Sequence, residues 1–175
     1  MPENHGAEAK QRRVKNSWLA LAVLIVLSPL LVALIVVFAV AWALSAVALH
    51  LLALILWVPV GRRVLFVYSN SPIWKAHIES EILPRLPSTA AVLNWSERAR
   101  WSSWSLSVWL FRFYGGTRQY NPLALVLRPW RGPKLFRFWR AFRDYKHGKL
   151  EPLRSLEEAF FHAIEAGEAR TRARQ

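Results

Sequence analysis

Polar residues that could bind an anion follow two short apolar segments of this chain. Val64–Tyr68 continues directly into Ser-Asn-Ser-Pro, and Ala90–Asn94 continues into Trp-Ser-Glu-Arg. Ser71 followed by Pro72 is typical of a helix start, where free backbone N–H groups attract negative charge. If the two segments are neighbouring strands, the side chains that follow them line one crevice. The candidate ligand-binding residues are Tyr68, Ser69, Asn70, Ser71, Asn94, Ser96, Glu97 and Arg98.

Such a crevice would bind a nucleotide or another phosphorylated ligand, as in an enzyme or a sensor. The alternative is that Asn and Ser residues after strands are ordinary turn and capping residues. Neither loop contains glycine, so the pattern is neither a P-loop nor a dinucleotide-binding fingerprint. No spacing of His, Asp and Glu indicates a metal site, and we predict no catalytic residue and no cofactor. An enzymatic activity is therefore neither assigned nor excluded.

Strand-like and helix-like segments alternate around these loops, which predicts a small, mostly parallel α/β domain over residues 61–167. Apolar residues at helical spacing predict one helix from Ser71 to Pro84 and a last helix over Leu153–Ala166 that ends at Gly167. Apolar runs bounded by turn residues predict strands. The predicted strands are Val64–Tyr68, Ala90–Asn94 and Leu123–Leu127.

Two segments of this domain fit more than one element. Trp101–Tyr114 fits a helix, although Ser alternates with apolar residues over 103–108 as in a strand. Lys134–Tyr145 places apolar residues three and four apart with arginines opposite, which predicts a cationic amphipathic helix. The first residues of that segment could instead extend a strand.

A long apolar stretch precedes the domain and indicates a membrane anchor. From Trp18 to Val60 there is no Asp, Glu, Lys or Arg. A single helix of this length would run roughly 64 Å, about twice the hydrocarbon thickness of a bilayer. We therefore predict a helical hairpin over residues 17–60 with spans near 18–37 and 41–60. Ser28-Pro29 is either a kink in the first span or the turn between the spans.

Basic residues flank the apolar stretch on both sides. Two spans return the chain to its starting side, so the positive-inside rule places both termini in the cytoplasm. The expected location is the bacterial inner membrane. Residues 1–16 and 168–175 are polar and aperiodic, which predicts a disordered cytoplasmic tail at each end.

The domain carries a strong positive charge interleaved with tryptophan. All but four of the 24 Lys and Arg residues follow Val60. All but two of the 11 Asp and Glu residues also follow it, so basic residues outnumber acidic ones about two to one there. Five tryptophans, Trp130 among them, lie within residues 98–149, where Asp144 is the sole acidic residue. Cations and aromatic rings suit the lipid bilayer and its anionic lipids, with an acidic protein partner as the alternative. The predicted membrane-surface residues are Arg62, Arg63, Arg112, Arg137, Trp139, Arg140, Arg143 and Lys146.

Nucleic acid would use the same residue types through phosphate contacts and base stacking. A chain tethered at Arg62 meets the lipid surface at very high effective concentration, so we favour the membrane over nucleic acid. The chain contains no cysteine, which excludes disulfides and thiolate chemistry.

The run LFVYSNSPIWKAHIESEILPRL, residues 65–86, resembles the first strand and helix of TIR domains. That resemblance implies an apolar strand, a Tyr-Ser pair and a helix bearing a tryptophan, and it concerns fold shape alone. Glu97 comes too early to match the acidic residue of enzymatic TIR domains, so no NAD cleavage is implied. The whole layout also resembles uncharacterised small bacterial membrane proteins with an apolar hairpin and a cytoplasmic domain. Membership of that group implies no activity.

Overall fold

The computed structural model describes residues 4–116, 119–128 and 131–172, with side chains described at Trp18 and between residues 24 and 169. Trp130, the first three residues and the last three therefore lie outside the described part of the chain. The chain divides between Ala46 and Val47 into two compact units. The second unit begins well before residue 61, where the sequence placed the start of the domain.

A single helix, α1 (Asn4–Trp57), replaces the predicted hairpin, so the prediction of two spans near 18–37 and 41–60 is wrong. The segment Phe38–Trp42 contains no turn-forming residue and continues the helix. Pro29 also lies inside α1, and the Ser28 hydroxyl donates to the carbonyl of Ile25 at 3.1 Å. Neither position is a turn, because the freed backbone groups are satisfied locally.

One stretch of α1, Leu24–Trp57, is long and apolar enough to cross a membrane by length and composition. With one span in place of two, the argument that both termini lie in the cytoplasm no longer holds. Helix α1 also begins at Asn4, so most of the segment predicted as a disordered tail is helical.

Four strands form one mixed sheet in the second unit, in the order β2-β1-β3-β4. Strands β1 and β2 are parallel, whereas β3 is antiparallel to both of its neighbours. The predicted mostly parallel sheet is therefore wrong, although an α/β architecture is confirmed. Strand β4 begins three residues after β3 ends, and so short a connection permits only antiparallel pairing. The strands are β1 (Val64–Tyr68), β2 (Ala91–Asn94), β3 (Leu123–Arg128) and β4 (Arg131–Arg137).

The cationic segment Lys134–Tyr145 is not one helix. Its first residues complete β4, where Lys134 pairs with Val126 and Phe136 with Ala124. Helix α4 (Trp139–Lys146) follows after Phe138. The apolar spacing that predicted a helix thus belongs to a strand and a helix in succession.

Helices cover both faces of the sheet. On one face, Phe66 and Ala124 pack beneath α4 and helix α5 (Glu151–Arg172). The opposite face packs against the last turns of α1 and helix α3 (Leu106–Tyr114), with Ala53 and Trp57 buried there. The sheet is therefore the middle of three layers, and the end of α1 is part of a hydrophobic core.

Two predicted helices differ in detail from the structure. The segment after Ser71 is a short helix, α2 (Lys75–His77), followed by a π-helical turn Ile78–Ile82 and a 3₁₀ turn Leu83–Arg85. Helix α5 does not end at Gly167 but runs on to Arg172. The predicted C-terminal tail therefore begins inside a helix.

Candidate functional site

The loops after β1 and β2 meet, as the sequence predicted, because the two strands are parallel neighbours with Tyr68 opposite Asn94. The backbone N–H of Asn70 donates to the Ser96 hydroxyl at 2.9 Å. The Asn94 side-chain amide donates to Asn70 Oδ1 at 2.8 Å. Three of the eight candidate residues therefore form one hydrogen-bonded group.

Asn94 also caps the helical turn that follows β2. Its Oδ1 accepts the backbone N–H of Ser96 at 3.0 Å, at the start of the 3₁₀ segment Trp95–Arg100. The side-chain nitrogen and oxygen of Asn94 are thus both hydrogen-bonded within the loops. That geometry is the capping role which Asn commonly has at such positions.

Tyr68 and Ser69 make contacts beneath this group. Tyr68 belongs to the core cluster on the α4–α5 face, and its hydroxyl donates to Glu79 Oε1 at 3.3 Å. Burial, followed by the nearby Glu79 carboxylate, raises the pKa of the Tyr68 phenol, which keeps this donor protonated. The Trp74 indole N–H donates to the carbonyl of Ser69 at 3.1 Å. Both residues are used in packing.

The charged members of the candidate set lie outside the hydrogen-bonded group. The Arg98 guanidinium lies 3.9 Å from the centroid of the Trp95 ring and donates to the Trp95 carbonyl at 3.5 Å. Ser71 precedes the turn that leads into α2, and its hydroxyl accepts the backbone N–H of Ile73 at 3.4 Å. Glu97 is exposed within the 3₁₀ segment.

A cavity that the sequence did not indicate lies at the other end of β1. Its volume is about 380 Å³, within the range of small-molecule sites. Arg63 lines it and donates to the carbonyl of Gly167 at 2.9 Å. Most of the lining is apolar, so no charge pattern marked these residues as a group. The remaining lining residues are Val58, Pro59, Gly61, Val64, Pro87, Thr89, Val126, Leu127, Ile164, Gly167 and Glu168.

The predicted membrane-surface residues do not form one surface. Arg112 is exposed on α3, on one face of the sheet. Trp139, Arg140, Arg143 and Lys146 lie on α4, on the opposite face, and Arg137 ends β4. A flat bilayer can contact only one of these two faces. Arg62 and Arg63 lie in the connection between α1 and β1, where the Arg62 guanidinium is 5.6 Å from the centroid of the Trp57 ring.

Large apolar side chains are exposed at the end of α1 and in the segment that leads into and includes the start of α3. Leu51, Ile55 and Leu56 are 51%, 68% and 53% exposed, although Trp57 beside them is buried. Trp104 is 85% exposed, and its ring centroid lies 6.3 Å from that of Trp109. We call these five exposed residues, Leu51, Ile55, Leu56, Trp104 and Trp109, the apolar surface. On the same elements, Arg62 follows α1 and lies 5.6 Å from the Trp57 ring centroid, and Arg112 lies on α3.

Comparison of the chain with protein-family models, with curated proteins and with solved structures finds no match. Within the described ranges, no group of three or more His, Asp or Glu side chains could hold a metal ion. The site must therefore be interpreted from its own geometry.

The substitution Asn94→Ala tests the capping role of this side chain. We expect it to lower the free energy of unfolding by about 1 kcal/mol, because the cap of the 3₁₀ segment and the bond to Asn70 are both lost. Denaturant unfolding of the detergent-solubilised chain measures the change. The exposed Ser103→Ala is the control, with an expected change within about 0.5 kcal/mol. Equal stability of the Asn94 variant and the parent would show that the amide is not a structural cap.

Proposed function

We propose that the protein is a membrane-anchored protein whose second unit lies with its apolar surface against the bilayer. The observation that carries this proposal is that the end of α1 has one buried side and one exposed side. One side of this helix is buried in the domain core through Ala53 and Trp57, while Leu51 and Ile55 are exposed on another side. A helix that is apolar all round is typical of a segment in contact with both protein and lipid.

The energetics favour contact of this surface with lipid. Fully burying a Leu or Ile side chain is worth about 1.5–3 kcal/mol, so Leu51, Ile55 and Leu56 together represent several kcal/mol. Exposed tryptophans such as Trp104 suit the headgroup region, where the ring is in contact with lipid and the indole N–H with water. Residues 24–45 of α1 are also exposed throughout, as expected for side chains that contact hydrocarbon.

Anionic lipids would add to this contact. Arg62 follows α1 and Arg112 lies on α3 together with Trp109, and a basic side chain close to an anionic leaflet contributes about 1 kcal/mol. The excess of Lys and Arg after Val60 supports a cytoplasmic position for the second unit at the inner membrane of a bacterium. A single crossing by α1 would then place the N-terminus on the other side of that membrane.

Single-cysteine variants provide the test, because the parent chain has no cysteine. Leu51→Cys, Ile55→Cys and Trp104→Cys are each labelled with a polarity-sensitive fluorophore in vesicles of phosphatidylcholine and phosphatidylglycerol. We expect blue-shifted emission and strong quenching by nitroxide-bearing lipids at all three positions. The matched control is Arg154→Cys, which lies exposed on α5 on the opposite face and should show neither effect.

Equal quenching at all four positions, or at none, would contradict the proposed contact. Repeating the measurement in phosphatidylcholine alone separates the two contributions. Weaker quenching at Trp104→Cys with unchanged quenching at Ile55→Cys would assign the electrostatic part to the α3 end of the apolar surface.

A nucleotide or phosphorylated ligand at the loops after β1 and β2 is the second proposal. It is supported by the convergence of Asn70, Asn94 and Ser96. It is weakened because these polar atoms bond to one another and because Arg98 stacks on Trp95. We therefore place it after the membrane contact.

A further inference from the structure

Strand β4 is an edge of the sheet. It pairs with β3 on one side, and no other described strand pairs with its outer side. The strand has seven residues, Arg131–Arg137, which is long enough to present several unpaired backbone N–H and C=O groups. The Arg128 guanidinium bonds the carbonyl of Gly132 at 2.9 Å, so the available edge lies after that residue.

The residues of this edge are strongly cationic. Arg131 and Arg137 are exposed, and Lys134 holds its Nζ 4.8 Å from the centroid of the Phe136 ring. A β-bulge between Arg131 and Lys134 interrupts the alternation of side chains in β4. Arg131, opposite Arg128, therefore shares a face with Lys134, opposite Val126, whereas Arg137, opposite Leu123, lies on the other face. Positive charge therefore borders the free edge on both faces of the sheet.

An exposed aromatic pair continues this cationic edge. The ring centroids of Tyr120 and Trp139 are 6.1 Å apart, and both rings are exposed. The Arg143 guanidinium lies 5.1 Å from the centroid of Trp139, and Arg140 is exposed beside it. Aromatic rings beside arginine are typical anchors of a polypeptide interface.

Charge at an edge strand also has a purely protective role. Lys residues and prolines such as Pro133 discourage edge-to-edge pairing between identical chains. Here the same charges would repel a second β4 and attract a strand rich in Asp and Glu. The edge is thus selective with respect to the sign of the partner's charge.

We propose that an extended acidic polypeptide segment adds to β4 as a fifth strand of the sheet. Its backbone would pair with the free edge after Gly132, and its carboxylates would meet Arg131, Lys134 and Arg137. A polypeptide is favoured over a nucleic acid because only a peptide backbone satisfies the unpaired groups of a strand edge. This inference does not depend on the proposed membrane contact, which involves α1 and α3.

The test uses the full chain in nanodiscs of phosphatidylcholine, which carry no net charge. The probe is a fluorescein-labelled peptide in which Glu and Val alternate over eight residues. Fluorescence anisotropy measures its binding. Its comparison peptides are the matching Lys-Val peptide and the Glu-Val peptide with N-methylated amides along one edge. A labelled oligothymidylate of similar charge is the nucleic-acid arm.

We expect the Glu-Val peptide to bind and the Lys-Val peptide not to bind. N-methylation should weaken binding by more than about tenfold, because it removes backbone hydrogen bonds while leaving the charge unchanged. The double variant R131Q/R137Q should weaken binding by about fivefold, since both cations are exposed. The matched control K149Q/R154Q removes the same charge elsewhere and should bind as the parent does.

Several outcomes would overturn the proposal. Equal affinity of the methylated and unmethylated peptides would show attraction by charge alone, without a fifth strand. Binding of oligothymidylate with no binding of the Glu-Val peptide would favour a nucleic acid. Equal losses in the two double variants would show that β4 is not the site, and circular dichroism of both variants verifies that they are folded.

Discussion

The substitution Phe160→Ala is expected to lower the free energy of unfolding by about 3–5 kcal/mol. Phe160 has no exposed surface, and its ring centroid lies 5.3 Å from that of Phe136, 5.7 Å from Phe138 and 6.0 Å from Phe66. Removing the ring leaves a cavity between α5 and the sheet, and the neighbouring aromatic rings lose their edge-to-face contacts. Denaturant unfolding in detergent, followed by near-ultraviolet circular dichroism, measures the loss.

Glu158→Ala is the control for this prediction, because Glu158 is exposed on the same helix and should change stability by no more than about 0.5 kcal/mol. Phe160→Leu should retain part of the stability, since it fills part of the cavity. A loss below about 1 kcal/mol for Phe160→Ala would show that α5 does not pack on the sheet as described.

Trp57→Ala should also lower the free energy of unfolding by about 3–5 kcal/mol, although Trp57 is the last residue of an apolar helix. The side chain is 5% exposed and lies in the cluster that joins α1 and α3 to the sheet. Its loss would remove a large contact between α1 and the sheet, and the Arg62 side chain would lose the ring that it faces. The same unfolding measurement detects this change.

The adjacent substitution Leu56→Ala provides the matched control. Leu56 precedes Trp57 in the same helix but is more than half exposed, so its removal should cost far less in detergent. Similar losses for the two variants would mean that the end of α1 acts as a membrane segment alone. A large loss for Trp57→Ala alone identifies it as part of the domain core.

The sequence predicted the positions of those strands whose residues are all apolar and buried. Val64–Tyr68 and Leu123–Leu127 are apolar runs between turn residues, and both are buried strands. The orientation of β3 was not accessible, because it depends on the path of the chain between β2 and β3 and not on any local pattern. The parallel prediction failed for that reason.

The sequence did not predict strand β4, because its residues do not show a clear strand pattern. Phe136 is its one buried side chain, so the alternation typical of a strand is weak. Leu135, Phe138, Trp139 and Phe142 happen to follow helical spacing across the junction between β4 and α4. Spacing alone cannot locate such a junction.

Helix α1 shows a different limit of sequence patterns. The absence of charge between Trp18 and Val60 correctly identified an apolar helix, but the length suggested two spans where no turn exists. In a helix that is apolar on every side, nothing distinguishes the residues packed on the sheet from those exposed. Ala53 and Trp57 were therefore not predicted to be core residues of the domain.

The sequence predicted the position of the candidate crevice but not the hydrogen bonds between its side chains. Parallel pairing of β1 with β2 brings Asn70 and Asn94 together, as the order of the elements suggested. Whether their amides bind a ligand or each other depends on side-chain torsions, which residue types do not specify.

Because the end of α1 is part of the domain core, the domain is not expected to stay folded without α1. A protease that cut between Trp57 and Val64 would separate α1 from the strands it covers. Leu65, Val67 and Leu125 would then lose the helix that shields them from water, so the cleaved product should aggregate and not diffuse away as a soluble fragment. Turnover of this protein is therefore expected to remove α1 and the domain together.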